Sequence, residues 1–415
     1  MSSDAHPKIA VIGAGVIGTT TAYILQKHGS KVSLFDPNNP GTMTSFGNAG
    51  AFANYACIPI NNSKIFSKIP SLLFSSNTPL SIEWKSLITS FPWMINFLIN
   101  CQFNKVQHIV KSLGSLLRQS EIINERLFKD IKCSSLIHSN ESLYVYDTKK
   151  DYLNEFGNNT LRKEQGVIFE VLNQNEIQEL EPHLSKKFYK GLLFKNSKFT
   201  SNPSKFVRDI FNLFLNIGGK FMKEKITNIL IQDQLVYLVT NNEKINFDKI
   251  VVCAGAWSKT LCKTIGDNIP LGVERGYHLM YPGFSDKISR PIGINKYGFY
   301  MTPMDEGLRV AGTVEIGSIN KRKNYQRIKW MEEKSKEIID SLIKPQDNWL
   351  GHRPTLPDSM PIIGKSLKNN NVIYNFGHQH LGLTLAAISG TIIRDIIYDI
   401  NFNHDISPFT VKRFN

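Results

Sequence analysis

Apolar residues recur along this chain in two rhythms, and the changes between them outline the elements. Short unbroken apolar runs at 9–12, 31–35 and 249–254 read as strands buried on both faces. Strands are also expected at 191–194, within 219–239 and at 372–376, while 141–147, ESLYVYD, alternates as a half-buried strand does. Residues 271–282 and 299–317 read as antiparallel strands that carry Arg275, Tyr277, His278, Tyr300, Arg309 and Glu315. Alternating polar and aromatic side chains of this kind can wall a small-molecule pocket.

Elsewhere the apolar spacing is three or four residues. From 63 to about 130 it places Ile95, Leu98, Val106, Ile109, Val110, Leu113, Leu116 and Leu117 at helical spacing, with Trp84 and Trp93 in the first part. This stripe is expected to pack inward, with membrane contact as the competing reading. Shorter helices are expected at 173–180, with Asn173 as N-cap and Glu176 three residues on, and at 203–215, with Pro203 near the start and Gly218 and Gly219 after the end. A helix is also expected at 322–343, and an apolar one runs from the turn at Gly377 to about 400.

The first strand leads directly into chemistry. Gly13, Gly15 and Gly18 complete G-x-G-x-x-G as the next helix begins, and the second strand ends in Asp36. Gly13 permits the tight turn, Gly15 removes a side chain between pyrophosphate and backbone, and Gly18 lets helix and strand pack closely. The helix N-terminus offers free N–H groups and partial positive charge, and Asp36 stands where a ribose hydroxyl is held. A dinucleotide site follows; the motif by itself does not choose between NAD and FAD.

After Asp36 the stretch PNNPGTMTSFGNAGAF is a loop, and it can bring Ser45, Asn48 and Gly50 back over the phosphates or ring of a cofactor. The run 249–254 ends in a second glycine turn, and 372–376 followed by Gly377 and a helix repeats the opening geometry. A second helix N-terminus can therefore point at the same ligand. His378 and His380 form H-x-H, yet no acidic or cysteine partner stands nearby, so no metal is expected.

Composition narrows the rest. The 415 residues are enough for two domains, and 41% hydrophobic with 20% charged residues is a globular balance. A formal charge of +14 attracts nucleic acid or anionic lipid, but Lys and Arg are scattered, with only short clusters such as Lys321, Arg322 and Lys323. A solvated basic surface is the simpler reading. The five cysteines Cys57, Cys101, Cys133, Cys253 and Cys262 form no C-x-x-C pair and read as reduced thiols of a cytoplasmic-type compartment. No signal peptide is apparent, and the most apolar later stretch, 86–100, contains Pro92 and falls short of the roughly 20 residues a spanning helix needs.

VIGAGVIG with Asp36, SFGNAG, VVCAGAWS, RGYHL, LRVAGTVEIG, GHRPTLPDSMPIIG and GHQHLGLTLAAISG occur in that order. Together they resemble the D-amino-acid-oxidase-like family of FAD-dependent oxidoreductases over nearly the full chain, and most closely its bacterial D-amino-acid dehydrogenases of the small-subunit type. PWMINFLINC is similar to the helical insertion of those dehydrogenases. The resemblance implies an α/β fold: a Rossmann-type FAD-binding domain, glutathione-reductase-like, interleaved with an α+β substrate domain on a mixed antiparallel sheet. The expected division is 1–62, 192–265 and 340–415 for FAD, and 63–191 with 266–339 for substrate.

It implies FAD rather than NAD. Gly13, Gly15, Val16, Ile17 and Gly18 would hold the pyrophosphate, Asp36 and Pro37 the adenosine ribose region, and Ser45, Asn48, Ala49 and Gly50 the pyrophosphate and flavin. Ile226 matches a main-chain contact to adenine, and Gly255 and Trp257 match positions lining the cofactor. His380, Leu381, Gly382, Leu383 and Thr384 fall where the last helix meets the flavin's pyrimidine edge; positive potential there favours the charge left by an arriving hydride. Family members with covalent flavin carry a His in the loop matching 45–50 or a Cys in the segment matching 351–364. Neither is present, so noncovalent FAD is implied.

Arg353 matches the arginine that takes the substrate carboxylate, with Tyr277, Tyr300 and His278 as candidates for orienting it or closing the pocket. The implied reaction is hydride transfer from Cα of a D-amino acid to flavin N5, with electrons passed on to a quinone or other carrier. Alternatives are a related imino or secondary amino acid, such as cis-4-hydroxy-D-proline, sarcosine or glycine, and a flavin enzyme acting on modified tRNA. The latter predicts clustered basic residues and a fused partner domain, which the sequence does not display, so no nucleic acid is expected. The expected location is the cytoplasm, with peripheral contact at the inner face of the membrane left open.

Overall fold

The computed structural model describes residues 6–61, 80–82, 87–132, 135–401 and 405–414. The opening strand Lys8–Ile12 lies in the middle of a six-stranded sheet, buried from Ile9 onward. Its parallel neighbours are Lys31–Phe35 and Lys249–Val252; Lys220–Met222 and Val372–Phe376 extend the parallel set, and Ile362–Lys365 closes one edge antiparallel. Burial on both faces explains the unbroken apolar runs, since each strand is covered by a layer above and below.

On one face lie the opening helix Val16–Lys27 and the last helix Gly382–Tyr398, packed together. Gly390 sets their approach: a Cβ there would sit 2.9 Å from Ile24 and 3.3 Å from the Thr21 backbone. Leu385, Ile388, Ile392 and Ile393 of the last helix are essentially fully buried, each worth about 1.5–3 kcal/mol relative to exposure. The long helix Phe103–Ile131 and the helix Pro203–Asn216, with Pro203 in its first turn, complete this layer. A three-stranded antiparallel sheet, Asn228–Gln232, Leu235–Val239 and Lys244–Phe247, and the short helix Ser258–Thr264 share the core of the other face.

A nine-stranded mixed sheet forms the second body. From one edge its path runs Asp347–Thr355, Gly272–Tyr281, Gly307–Ile316, Phe299–Met304, Ile292–Ile294, Ser142–Tyr146, Lys190–Phe194 and Phe169–Asn173, with Leu80–Ile82 joined to Gly307–Ile316. Thus 192–194 and 347–355, which the expected division gave to the FAD part, pair in this sheet.

The helix at Gln174–Leu180 has the full capping box of Asn173 and Glu176. The one expected at 322–343 is shorter, Tyr325–Lys336. Asn324 caps it, and the preceding residues are tied elsewhere: the buried Arg275 donates to the carbonyls of Lys321 and Arg322, and Lys323 to Asn348. In the helix Leu87–Ile99, Trp93 and Phe97 are buried, whereas Ile95, expected to pack inward, is 44% exposed in line with Phe91 and Ile99. The helical expectation for 63–79, Trp84 and Cys133 lie outside the described residues. Cys57, Cys101, Cys253 and Cys262 are buried and unbridged. Among the described residues no helix is long and apolar enough to cross a membrane.

Candidate functional site

Two cavities meet where the sheets adjoin. The first, about 600 Å³, follows the C-terminal ends of the parallel strands; the second, about 390 Å³, lies under the nine-stranded sheet. Val16, Thr44, Ser45, Gln379 and Gly382 line both, so together they form one path.

The first cavity is shaped by backbone. Gly13 has φ +105°, and a Cβ there would stand 2.5 Å from the Cys253 carbonyl oxygen. On Gly18 it would strike the Gly13 carbonyl at 1.8 Å, so Gly18 serves packing and does not itself line the cavity. Gly15, Val16 and Ile17 open the helix along the wall, where free N–H groups gather. Asp36 fixes the floor: its Oδ2 accepts from Ala14 N at 2.8 Å and its Oδ1 from Asn38 N at 2.8 Å. A carboxylate so held keeps lone pairs for hydroxyl donors. Pro37, Ile226, Gly255 and Trp257 complete the wall, and a Cβ on Gly255 would meet nothing within 4 Å. Both ring nitrogens of buried His378, also on this wall, lack a partner, and burial lowers its pKa to about 3. Glycine turns, a fixed acid and unpartnered polar atoms along an elongated cavity fit a flavin dinucleotide.

The loop after Asp36 joins the cavities, and side chains from distant segments hold it. Ser45 Oγ accepts from Val16 N at 2.9 Å, while Asn48 bonds Ser45 O and Gly50 N. Arg309, buried from the second sheet, donates to the carbonyls of Phe46 and Asn48 at 3.0 Å each, and Thr302 donates to Ala49 O. Asn48, Ala49 and Gly50 line the second cavity.

Arg353, on the edge strand Asp347–Thr355, enters the second cavity across Gly276 of the neighbouring strand. A Cβ on Gly276 would lie 2.5 Å from the guanidinium carbon. Nη1 donates to Thr313 O at 3.0 Å. That carbonyl is aimed by a bulge, for the ladder slips between Arg275 and Tyr277, and Thr313 takes φ +55°. Glu274, opposite Arg353 in register, is the only acidic side chain among the described residues of this cavity's wall; its Oε2 is buried without a partner. Burial raises its pKa to about 6, against the pull of Arg353 and Thr355. His380 lines the same open space and remains exposed there; desolvation by its neighbours and the charge of Arg353 lower its pKa to about 4. Tyr300 lines the far side beside Tyr55 and Tyr144, its hydroxyl 3.4 Å from that of Tyr55; burial pushes its pKa well up. Arg162 lines that end too, with Nη1 on Asn159 at 2.6 Å.

Two of the expected substrate residues lie elsewhere. Tyr277 points to the opposite face of its strand, where its hydroxyl donates to Glu315 at 2.7 Å and accepts from Asn324 N, beside the buried Arg275–Glu315 ion pair. Side-chain alternation puts it there, one residue from Gly276. His278 is back on the cavity side but buried, against Gly47 O at 3.2 Å and stacked on Trp349 at 5.2 Å, so it props the cavity wall from behind. Burial lowers its pKa to about 3 and keeps it neutral. In the last helix, Gly382 and Leu383 line the cavities, whereas Leu381 is buried in the core. Thr384 is also turned away, its Oγ1 accepting from Ala53 N at 2.9 Å. Glu274, Gly276, Thr313, Trp349, Tyr55, Tyr144, Arg162 and Gln379 join the site without having been singled out for it. Of these, Gly276 inside RGYHL, Thr313 inside LRVAGTVEIG and Gln379 inside GHQHLGLTLAAISG lie within motifs that stand out in the sequence.

The family model described as FAD dependent oxidoreductase (DAO) matches residues 8–396. A curated relative, D-amino-acid oxidase of Bradyrhizobium diazoefficiens, is 30% identical over 98% of both chains. Among solved structures, glycine oxidase from Geobacillus kaustophilus matches with TM-score 0.77 at 16% identity, over 98% of this chain and 99% of that one. L-proline dehydrogenase from P. horikoshii matches with TM-score 0.76 at 16% identity, over 99% and 98%. Iminodiacetate oxidase from Chelativorans sp. BNC1 matches with TM-score 0.74 at 16% identity, over 97% and 98%. The glycine cradle at the strand ends, the acid that floors it and the full-length matches agree: this chain belongs to the DAO family of FAD-dependent oxidoreductases.

Proposed function

We propose that this protein oxidises D-amino acids, with Arg353 holding the substrate carboxylate and noncovalently bound FAD taking hydride from Cα at N5. The observation that carries this reading is the guanidinium of Arg353 laid across bare Gly276 into a cavity continuous with the dinucleotide cradle. A planar fork in a partly dry pocket suits bidentate pairing with a carboxylate. The curated relative's name, D-amino-acid oxidase, supports the substrate class.

The chain's own residues then divide the work. Gly13, Gly15 and the start of the opening helix receive the pyrophosphate, Asp36 the ribose, and the N-terminus at Gly382 and Leu383 the charge that builds at the flavin's pyrimidine edge. Arg353, steadied by its bond to the Thr313 carbonyl, fixes the carboxylate, which orients Cα–H; Tyr300, Tyr55 and Tyr144 wall the far side and exclude water. The amine must be neutral when Cα–H leaves, and the imino product hydrolyses in water. Electrons pass onward to a quinone or other carrier, in the cytoplasm or at the membrane's inner face.

Anaerobic flavin bleaching tests the reading with a panel of D-amino acids, cis-4-hydroxy-D-proline, sarcosine and glycine. Reduction by D-amino acids is expected, and failure of the whole panel would sink the amino-acid reading. Arg353→Met should keep FAD and lose substrate-dependent bleaching; unchanged bleaching removes Arg353 from its role. Reoxidation by a soluble quinone should outpace reoxidation by oxygen.

A further inference from the structure

We propose that Glu274 receives the substrate's α-amino group and accepts its proton, so that the amine is neutral when Cα–H departs. This deepens the amino-acid reading above and rests on it.

The geometry starts from the ladder. Glu274 and Arg353 are directly opposite on adjacent antiparallel strands, so both side chains leave the sheet on the same face. Two residues on, Gly276 shares that face and lacks a side chain, which gives the Arg353 guanidinium its resting place. A positive and a negative group therefore stand side by side on one cavity wall. An amino acid in water carries the same two charges in reverse, carboxylate and ammonium on one carbon. Pairing each with its opposite fixes Cα between them.

Glu274 is also poised to take more than it has. Its Oε2 is buried with no hydrogen-bond partner, and an unpaired carboxylate oxygen at such depth calls for a donor. Arg353 directs Nη1 at the Thr313 carbonyl rather than satisfying that oxygen. Among the described residues lining the second cavity no other aspartate or glutamate is present, and His380, its pKa lowered to about 4, sits beside Arg353's charge. Burial moves Glu274 up to about 6, toward the range in which a carboxylate exchanges protons near neutrality.

The step balances simply. An N–H bond of the ammonium breaks, its electron pair stays on nitrogen, and an O–H bond forms on Glu274. The Cα–H pair then leaves as hydride to the bound flavin while the nitrogen lone pair closes the C=N bond. The protonated Glu274 returns its proton to solvent after the product leaves.

The test uses the FAD-loaded protein and the anaerobic reduction rate against pH, with whichever amino acid bleaches the wild type. In the wild type the rate falls as Glu274 protonates, giving an acid limb. Glu274→Gln should lose that limb, lower the rate at pH 7 by about 10²- to 10⁴-fold, and regain rate steadily as alkaline pH supplies neutral amine from solution. Affinity for a carboxylate without an amino group, read from its perturbation of the flavin spectrum, should stay within about threefold. Glu274→Asp should keep the acid limb at reduced rate, and carries the test if the Gln variant loses flavin. An acid limb that stays near pH 6 in Glu274→Gln instead of moving to the amine's own alkaline range, or a full-rate Asp variant, overturns the assignment while the amino-acid reading stands. A wild type that no amino acid reduces takes down both.

Discussion

Gly276→Ala should disable the substrate side of this site while leaving the cofactor side intact. The new methyl group would lie 2.5 Å from Cζ and Nη2 of Arg353 and 2.9 Å from Nη1. Ordinary carbon contacts are about 3.5–4.0 Å, so the guanidinium must withdraw by about 1 Å. The backbone tolerates alanine, because Gly276 is not among the positive-φ glycines. Withdrawal breaks the 3.0 Å bond to Thr313 O and tilts the fork away from the carboxylate. Hydrogen bonds to charged groups contribute about 1.5–3 kcal/mol, so substrate Kd should rise about 10- to 150-fold. Anaerobic stopped-flow titration of flavin reduction measures that Kd, and the flavin spectrum with a melting curve reports cofactor and fold. A Kd within twofold of wild type in an FAD-loaded variant would refute the claim that bare Gly276 positions Arg353 for substrate.

Three other outcomes follow from the same geometry. Asp36→Ala leaves the Ala14 and Asn38 amides without their acceptor and should weaken FAD binding at least about tenfold by fluorescence titration, with the protein still folded. Tyr277→Phe removes the bond to Glu315 on the far face, so urea unfolding should show a loss of about 1–2 kcal/mol while substrate Kd is unchanged. Glu274 has its folded pKa raised from 4.5 to about 6, so its stabilising effect is complete below pH 4.5 and lost as pH rises through 6. Relative to wild type, Glu274→Gln should therefore gain on the order of 2 kcal/mol in urea unfolding between pH 4.5 and pH 8; no pH-dependent gain would remove the burial argument.

The cofactor cradle was legible because it is built from local rules. Gly13 needs a positive φ, Gly18 touches the turn five residues before it, and Asp36 ends the adjacent strand, so the motif reports its own geometry. The wall of the second cavity follows no such local rule. The period-two pattern of 271–282 shows that residues alternate between faces, but which face meets the cavity depends on what packs behind the sheet. The helix Tyr325–Lys336 covers one side, so Tyr277 went to the core and Glu274 with Gly276 went to the cavity. The bulge at Thr313 was equally silent, since a threonine at φ +55° has no signature in sequence.

By itself, the sequence determined that a dinucleotide lies at the start of the chain, because strand, glycine turn, helix and terminal acid are fixed by contacts within about 30 residues. The later glycine turns and the resemblance made that dinucleotide FAD. Tertiary structure alone decided which side chains face the second cavity. Arg353, Glu274 and the Thr313 carbonyl come from three strands and lie up to 79 positions apart, 274 to 353, and only sheet register brings them together. Register is a collective property of the packed sheet, so no local stretch of the chain could announce it.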